Sequence, residues 1–202
     1  MKAINLLGLG LSTAAIVGIV VAIVVVLLII IIAVAYISMK NGLIRVVNQT
    51  EESWAGIDVY LKKRYDLVPN LVETVKGYAK HESETLDKVI SARNVAMTAS
   101  GNAKIDAEKA FGSELRSMMN LVIEKYPDLK ADKQFLQLSG TLQNIETELV
   151  QARKYYNGNC RNYNNKIQLF PTSIVARRMG LEKRQYFELD SEEERRAPSV
   201  KF

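Results

Sequence analysis

The feature that most constrains this chain is a long apolar stretch near its N-terminus. No charged residue occurs between Lys2 and Lys40, and the run from Thr13 to Ile37 consists almost wholly of Val, Ile, Leu and Ala. As a helix this run extends roughly 37 Å, which is enough to cross a hydrocarbon core of about 30 Å. Lipid offers the backbone no hydrogen-bond partners, so the segment must pair its own amides. We predict a short N-terminal segment at 1–12 and a transmembrane helix at 13–38.

Two other interpretations of this stretch are a cleaved signal peptide and the buried core helix of a soluble domain. A signal peptide carries an apolar run of about 7 to 15 residues before its cleavage site. Here the run continues to Tyr36, whose amphipathic ring suits the headgroup level. An uncleaved anchor is therefore favoured over both alternatives.

The charges that flank the anchor predict its orientation. Lys2 and the terminal amine lie on one side, and Lys40, Arg45 and a basic cluster at 62–64 lie on the other. Because cytoplasmic flanks carry an excess of basic residues, we predict that the C-terminal domain is cytoplasmic.

Composition limits the partners of the remaining part of the chain. Roughly 160 residues follow the anchor, which is enough for one domain with its own core. The net charge is +5, but acidic residues lie among the basic ones, so no nucleic-acid partner is expected. Cys160 is the single cysteine, and an internal disulfide is therefore excluded.

Apolar residues recur at steps of three and four throughout the soluble part, which predicts helices. One helix is expected from Ile44 to a boundary at Pro69, with Asn41 and Gly42 as a second point where the chain can break. The helices expected after it run from Asn70 to a turn at 100–102, from Ala103 to Tyr126, from Leu138 to Phe170, and from Ile174 to a Gly180 cap. The fold class is therefore all-α, with an antiparallel bundle of about four long helices at 41–180.

A charged tail at 181–202 is expected to follow the bundle. Tyr186 and Phe187 are the tail residues that could dock on it. Residues from Ser191 onward are predicted to be loosely held.

Two blocks of the sequence resemble the LemA family of bacterial membrane proteins. The first is WAGIDVYLKKRYDLVPNLVETVKGYAKHESETLDKVISAR at 54–93, and the second is IETELVQARKYYNGNCRNYNNKIQLFPTSIVARRMG at 145–180. Cys160 and Arg161 depart from the pattern, since an aliphatic residue is expected near them. The resemblance implies an N-terminally anchored helical bundle in the bacterial cytoplasmic membrane. It implies no chemistry, although relatives are linked to membrane organisation and to membrane proteolysis.

A search for reactive groups gives few candidates. His81 and Glu82 begin like a zinc-protease helix, but Thr85 stands where a second histidine is needed and the chain has no other. Cys160 could use only His81 as a base. We therefore predict no catalytic, cofactor-binding or metal-binding residues and no cofactor.

The inward carboxylates and the asparagines have structural explanations. Glu82, Glu146 and Glu148 are expected to form ion pairs, with Arg93 and Arg153 available as partners. The fourth predicted helix carries a polar, aromatic stretch that could join helices or protomers, or could simply form a surface with half-buried tyrosines; its residues are Asn157, Asn162, Asn164, Asn165, Tyr155, Tyr156 and Tyr163.

The preferred function is a non-enzymatic, membrane-anchored scaffold that self-associates or organises partners. Gly18 and Ala22 form a small-xxx-small step through which anchors could pack. The alternative is an adaptor or accessory subunit of a membrane protease or envelope-stress system, and a hydrolase with an unrecognised site is a third hypothesis. A scaffold should self-assemble when purified alone, whereas an adaptor should not.

Overall fold

The computed structural model describes residues 12–79 and 81–187, and every regular element within those ranges is a helix. The expectation of loosely held residues from Ser191 onward lies outside them. The all-α prediction is confirmed by six helices: α1 (Thr13–Tyr78), α2 (Ser83–Thr98), α3 (Gly101–Lys125), α4 (Pro127–Lys130), α5 (Lys133–Gln168) and α6 (Thr172–Arg178). The described residues divide into a first unit, residues 12–47 with 165–182, and a second unit, residues 48–79 and 81–164 with 183–187.

The first unit contains the apolar part of α1. Among the described residues, α1 is the one helix long and apolar enough to cross a membrane, with a mean hydropathy of 3.8 over 18 residues, none of which is buried. A core helix of a soluble domain would be mostly buried. Further along α1, Leu43 and Val46 are buried, as are Ile167 of α5 and Val175 of α6 in the same unit. Ile44, where the first soluble helix was expected to begin, is 40% exposed.

The predicted helix boundary at Pro69 is wrong, because α1 continues through Pro69 to Tyr78. A proline inside a helix lacks the N–H that would bond to the carbonyl four residues earlier, which here belongs to Tyr65. Arg93 of α2 supplies the missing donor, since its Nε lies 2.7 Å from the Tyr65 carbonyl oxygen. The helix therefore tolerates Pro69 because a distant side chain replaces one of its backbone hydrogen bonds.

The first corner of the bundle lies ten residues after the expected one. α1 ends at Tyr78 and α2 begins at Ser83, with the backbone N–H of Glu82 bonded to the carbonyl of Ala79 at 3.1 Å. The predicted continuous helix from Asn70 to residue 100 is therefore two helices. Tyr78, the last residue of α1, is 48% exposed, and its hydroxyl donates to Asp132.

The second unit is an antiparallel bundle, as predicted. Arg64 of α1 meets Glu146 of α5, Trp54 meets Tyr156, and Tyr78 meets Asp132, so moving forward along α1 means moving backward along α5. Glu82, just before α2, meets Tyr126 at the end of α3, which shows that α2 and α3 also run in opposite directions. Leu61, Val75, Val89, Phe111 and Leu149 are examples of core side chains with no exposure.

The ends of the later helices largely follow their sequence signals. Asp132 precedes α5 and accepts the backbone N–H of Phe135 at 2.9 Å, as an N-cap does. Gly180 has φ +66° and closes α6 with the expected glycine cap: its N–H bonds to the Arg177 carbonyl, and that of Leu181 bonds to the Ala176 carbonyl, both at 3.1 Å. α5 ends at Gln168, two residues before the predicted end at Phe170, and Phe170 is 81% exposed.

Candidate interaction site

The structure keeps the two residues considered for nucleophilic chemistry apart. His81 is exposed in the corner between α1 and α2, where Tyr78 contacts Asp132. Cys160 is buried on α5, 28 residues after Asp132. That separation corresponds to about 42 Å of helix. Within 12–79 and 81–187, no group of three or more His, Cys, Asp or Glu side chains could hold a metal ion.

Charged side chains nevertheless meet in the interior, in a cluster that we call the ionic core: Arg64, Tyr65, Glu108 and Glu146. Arg64 and Glu108 are fully buried, and the guanidinium donates to the Glu108 carboxylate. The Tyr65 hydroxyl donates to the other Glu108 oxygen. Arg64 Nη1 also donates to Glu146 Oε1 at 2.9 Å, and Glu146 is 38% exposed. The cluster therefore links α1, α3 and α5 through hydrogen bonds between side chains, while Arg64 Nε has no hydrogen-bond partner among the described residues.

Burial and charge act in opposite directions on Glu108. Removal from water raises the pKa of the Glu108 carboxyl, whereas the guanidinium groups of Arg64 and Arg153 oppose that rise. The Phe111 ring covers one side, with its centroid 4.8 Å from Arg64 Cζ. The arrangement is a closed ion pair in an apolar surrounding, and it stabilises one helix packing rather than presenting a reactive carboxylate to solvent.

The predicted carboxylate pairs are partly confirmed. Glu146 pairs with an arginine, but the partner is Arg64. Glu82 instead lies 3.4 Å from Lys125 and accepts from Tyr126 at 3.3 Å. Glu148 lies beside Tyr60 and raises the pKa of that phenol.

Sequence reasoning missed Glu108 altogether. It lies on the inner side of α3 with Ile105 and Phe111, three residues to either side. That helical spacing is the signal that could have identified it.

An open apolar groove of about 680 Å³ runs between α3 and α5. Its lining includes Leu115, Met119, Leu142 and Val150, with Glu146 and Arg153 among the polar residues. Ile123 and Leu136 in the same lining are 46% and 53% exposed. The groove is a concave surface on which an apolar group can be buried.

Two asparagines of α5, Asn157 and Asn164, bind the segment at 184–187. This segment has no helix or strand structure. The Asn157 amide accepts from the Phe187 N–H and donates to the Phe187 carbonyl, both at 2.8 Å. The Asn164 amide makes the same pair of bonds to the backbone of Arg184, both at 2.9 Å. Tyr156 adds a bond from its hydroxyl to the Gln185 carbonyl at 3.0 Å. We call Asn157, Asn164, Tyr156 and Trp54 the tail clamp.

The spacing of the two asparagines matches an extended peptide. Seven residues of helix separate Asn157 from Asn164, a rise of about 10.5 Å. Three residues separate Arg184 from Phe187, which span about 10 Å when extended. The order is reversed, so the segment runs antiparallel to α5. Cys160 lies between the asparagines on the same helical face, with its Sγ 3.3 Å from the Arg184 carbonyl oxygen.

The Phe187 side chain completes the contact and is fully buried. Its ring centroid lies 6.0 Å from that of Trp54, and Trp54 packs edge-on against Tyr156 at 5.1 Å. Arg153 Cζ lies 4.3 Å from the Phe187 centroid, a cation–π distance. The prediction that Phe187 docks on the bundle is confirmed, whereas Tyr186 is 40% exposed.

Two groups of this site have raised pKa values. Burial raises the pKa of Tyr156 to about 12, with the neighbouring Cys160 adding to the rise. Burial also raises the pKa of the Cys160 thiol, although hydrogen bonds with Tyr156 and Asn164 oppose it. Cys160 is therefore held as a neutral thiol, which is a poor nucleophile.

Of the remaining members of the polar stretch, only Tyr163 contacts the segment. Asn162, Asn165 and Tyr155 are exposed, while Tyr163 is buried and its ring lies 5.2 Å from Arg184 Cζ. Arg161 is exposed, and Cys160 occupies a buried position where an aliphatic residue was expected. The stretch thus binds a tail segment of its own chain, an arrangement that the sequence did not reveal.

Fold and site together define an all-helical protein whose first helix carries a candidate membrane span and whose bundle binds its own tail. A sequence model of the LemA family matches residues 53–202. The chain therefore belongs to the LemA family, as its two sequence blocks indicated. It is similar to Protein LemA of Metamycoplasma hominis, with 32% identity over 153 residues, covering 72% of this chain and 67% of that relative. The residues that the family model matches, 53–202, include both the ionic core and the tail clamp.

Proposed function

We propose that this protein is a non-enzymatic scaffold of the bacterial cytoplasmic membrane whose copies associate and gather partner proteins. In this proposal the apolar part of α1 binds membrane lipid, and the C-terminal domain lies on the cytoplasmic side. In the ionic core the Arg64 Nη atoms and the Tyr65 hydroxyl bond to carboxylates, and in the clamp the amides of Asn157 and Asn164 bond to main-chain groups. They support a structural role more than a reactive one.

The observation that carries the proposal is the composition of α1. Its apolar stretch has no buried residue, and the same helix supplies Ile57 and Leu61 to the core of the second unit. A chain built in this way confines its bundle to a surface. Confinement raises the local concentration, so that weak contacts between copies can maintain an assembly that would separate in solution.

The experiment that tests this proposal is the mass of the full-length protein extracted gently in detergent, measured by light scattering corrected for bound detergent. One chain has a mass of 22.7 kDa. A version that begins at Asn41 serves as the comparison, with circular dichroism used to check that it remains helical. A large homogeneous particle that breaks down when the anchor is removed supports the scaffold. A monomer in both samples contradicts it and favours the adaptor of a membrane protease.

A full-length variant tests whether the anchors of different copies pack against one another, while the protein stays in the membrane. Gly18 and Ala22 lie on the exposed apolar part of α1, and a side chain added at Gly18 would meet nothing within 4 Å. Replacing both by Ile therefore leaves one chain undisturbed but blocks close helix contact in the membrane. We expect smaller particles for this variant if the anchors pack together, and unchanged particles if the bundle makes the contacts.

A further inference from the structure

The tail clamp binds its occupant mainly through main-chain atoms. Asn157, Asn164 and Tyr156 all bond to backbone groups of residues 184–187, and such groups are present in any extended peptide. The bundle contacts two side chains of the segment closely: Phe187 is buried, and Arg184 reaches the Glu51 carboxylate at 2.8 Å. The clamp is thus a receptor for an extended peptide that carries an arginine and, three positions later, an aromatic ring.

We infer that this receptor also takes the 184–187 segment of a neighbouring copy, so that assembled chains exchange segments. The inference rests on the self-association proposed above and names a contact that would produce it. A second copy is the favoured occupant because its Arg184 and Phe187 are the groups whose fit is seen within one chain. Exchange replaces each hydrogen bond with an identical one, which makes it a route to association at small energetic cost.

The connection before the segment sets the range of this exchange. α6 ends at Arg178, and residues 179–183 join it to Arg184. Gly180 within that connection has φ +66°, a conformation that glycine adopts without strain. Residues 179–181 cap α6 in this structure, so exchange requires that this cap open. The five residues then span about 17 Å when extended, and a copy whose clamp lies within that distance can be reached.

The chain has one native cysteine, and it lies in the receptor, so disulfide formation can report which chain supplies the segment. The receptor chain keeps Cys160. The donor chain carries Cys160→Ser and Gln185→Cys, together with a larger tag. Both full-length chains are produced in the same membrane and oxidised there. A disulfide between them forms when the donor segment enters the receptor clamp.

A positive control within one chain selects the cysteine position before the two chains are mixed. A single chain with both Cys160 and Gln185→Cys, or Arg184→Cys in its place, is oxidised, and the position that gives more of the closed monomer is used. Both positions are tested because Cys160 Sγ lies 3.3 Å from the Arg184 carbonyl oxygen and 3.6 Å from that of Gln185.

We expect a disulfide-linked heterodimer whose yield falls about tenfold or more when the receptor chain carries Asn157→Ala and Asn164→Ala. Asn162→Ala with Asn165→Ala on the exposed face of α5 is the matched control and should leave the yield unchanged. Phe187→Ala in the donor chain should lower the yield without altering the receptor chain.

Two results would overturn the exchange. One is the closed monomer in the positive control with no heterodimer in the mixed membrane. The other is a heterodimer whose yield does not depend on Asn157, Asn164 or Phe187, since such a product reports collision. Particle mass in detergent is measured independently, so an assembly without mixed disulfides rejects exchange while leaving the scaffold intact.

Discussion

The ionic core and the tail clamp are two buried polar sites in the same unit, and they differ in what they hold. Each places a fully buried phenylalanine against an arginine, with Phe111 4.8 Å from Arg64 and Phe187 4.3 Å from Arg153. In the ionic core, the groups that meet lie on α1, α3 and α5. In the clamp, helix side chains hold the backbone of a segment that is not helical. Loss of a core contact therefore affects the whole bundle, whereas loss of a clamp contact releases a segment.

The two sites differ in whether their buried groups can be hydrated while the helix bundle stays folded. The charges of Arg64 and Glu108 cannot reach water unless helices separate, so each is indispensable to the other. The groups of the clamp can be hydrated once residues 184–187 leave. We therefore expect substitutions in the ionic core to lower mainly the free energy of unfolding. Substitutions in the clamp should mainly increase the accessibility of Cys160 to a maleimide.

The largest effect is expected in the ionic core. Arg64→Met leaves the buried Glu108 carboxylate without its main counter-charge and should lower the free energy of unfolding by about 3 to 5 kcal/mol. The measurement is urea unfolding followed by circular dichroism. The control is Arg64→Met with Glu108→Leu, which removes both charges and should be more stable than the single variant. A single variant as stable as the parent would show that the pair is not essential to the fold.

A matched pair of phenylalanines tests the comparison directly. Phe111→Ala opens a cavity between helices and should lower the free energy of unfolding by about 3 to 5 kcal/mol. Phe187→Ala should lower it by only about 2 kcal/mol, since the segment can leave and no sealed cavity remains. Phe187→Ala should, however, increase the rate of Cys160 alkylation about tenfold or more. Equal losses of stability with no change in alkylation would mean that the tail is as fixed as the core.

How far the sequence could predict these sites depends on where each signal lies. The helix at Gly101–Lys125 and the Gly180 cap follow from apolar spacing and a glycine, which are local signals. The corner after Tyr78 was missed because neither glycine nor proline marks residues 79–82. Continuity through Pro69 could not be predicted, because the compensating donor, Arg93, lies 24 residues away in the chain.

The clamp was only partly accessible to sequence reasoning. Its asparagines share a helical face with Cys160, and Phe187 was recognised as able to dock. What could not be predicted is that the asparagine amides bond to a peptide backbone, because main-chain partners leave no pattern in the sequence of the segment they hold.

The pH dependence of Tyr156 gives the next effect in size. Its pKa is raised from 10.0 to about 12, so its neutral form is stabilised in the folded protein. That contribution, on the order of 2 kcal/mol, is fully present below pH 10 and is lost as the pH rises toward 12. Tyr156→Phe has no group to titrate there. We expect the difference in unfolding free energy between the parent and this variant to shrink across that interval, and a constant difference would contradict the assignment.

A smaller effect is expected for a single clamp amide. Asn157→Ala removes two hydrogen bonds to Phe187, but water can satisfy the freed backbone groups when the segment leaves, so the free energy of unfolding should fall by about 1 kcal/mol. Cys160 alkylation should still rise severalfold, since each departure of the segment uncovers the thiol. Asn162→Ala, on the exposed face, is the control and should change neither quantity. A fall in stability without faster alkylation would assign Asn157 to the helix rather than to the tail.

The smallest effect concerns the ion pair at the outer end of the segment. Arg184 and Glu51 lie 2.8 Å apart, but their side chains are 29% and 61% exposed. Solvent screens such a pair, and Glu51→Gln should lower the free energy of unfolding by less than about 1 kcal/mol. Any increase in Cys160 alkylation should also appear in the parent protein at high salt, because salt weakens the same attraction. If Glu51→Gln instead released the segment as fully as Phe187→Ala, charge rather than aromatic burial would hold the tail, and the clamp would resemble the ionic core more closely than its geometry indicates.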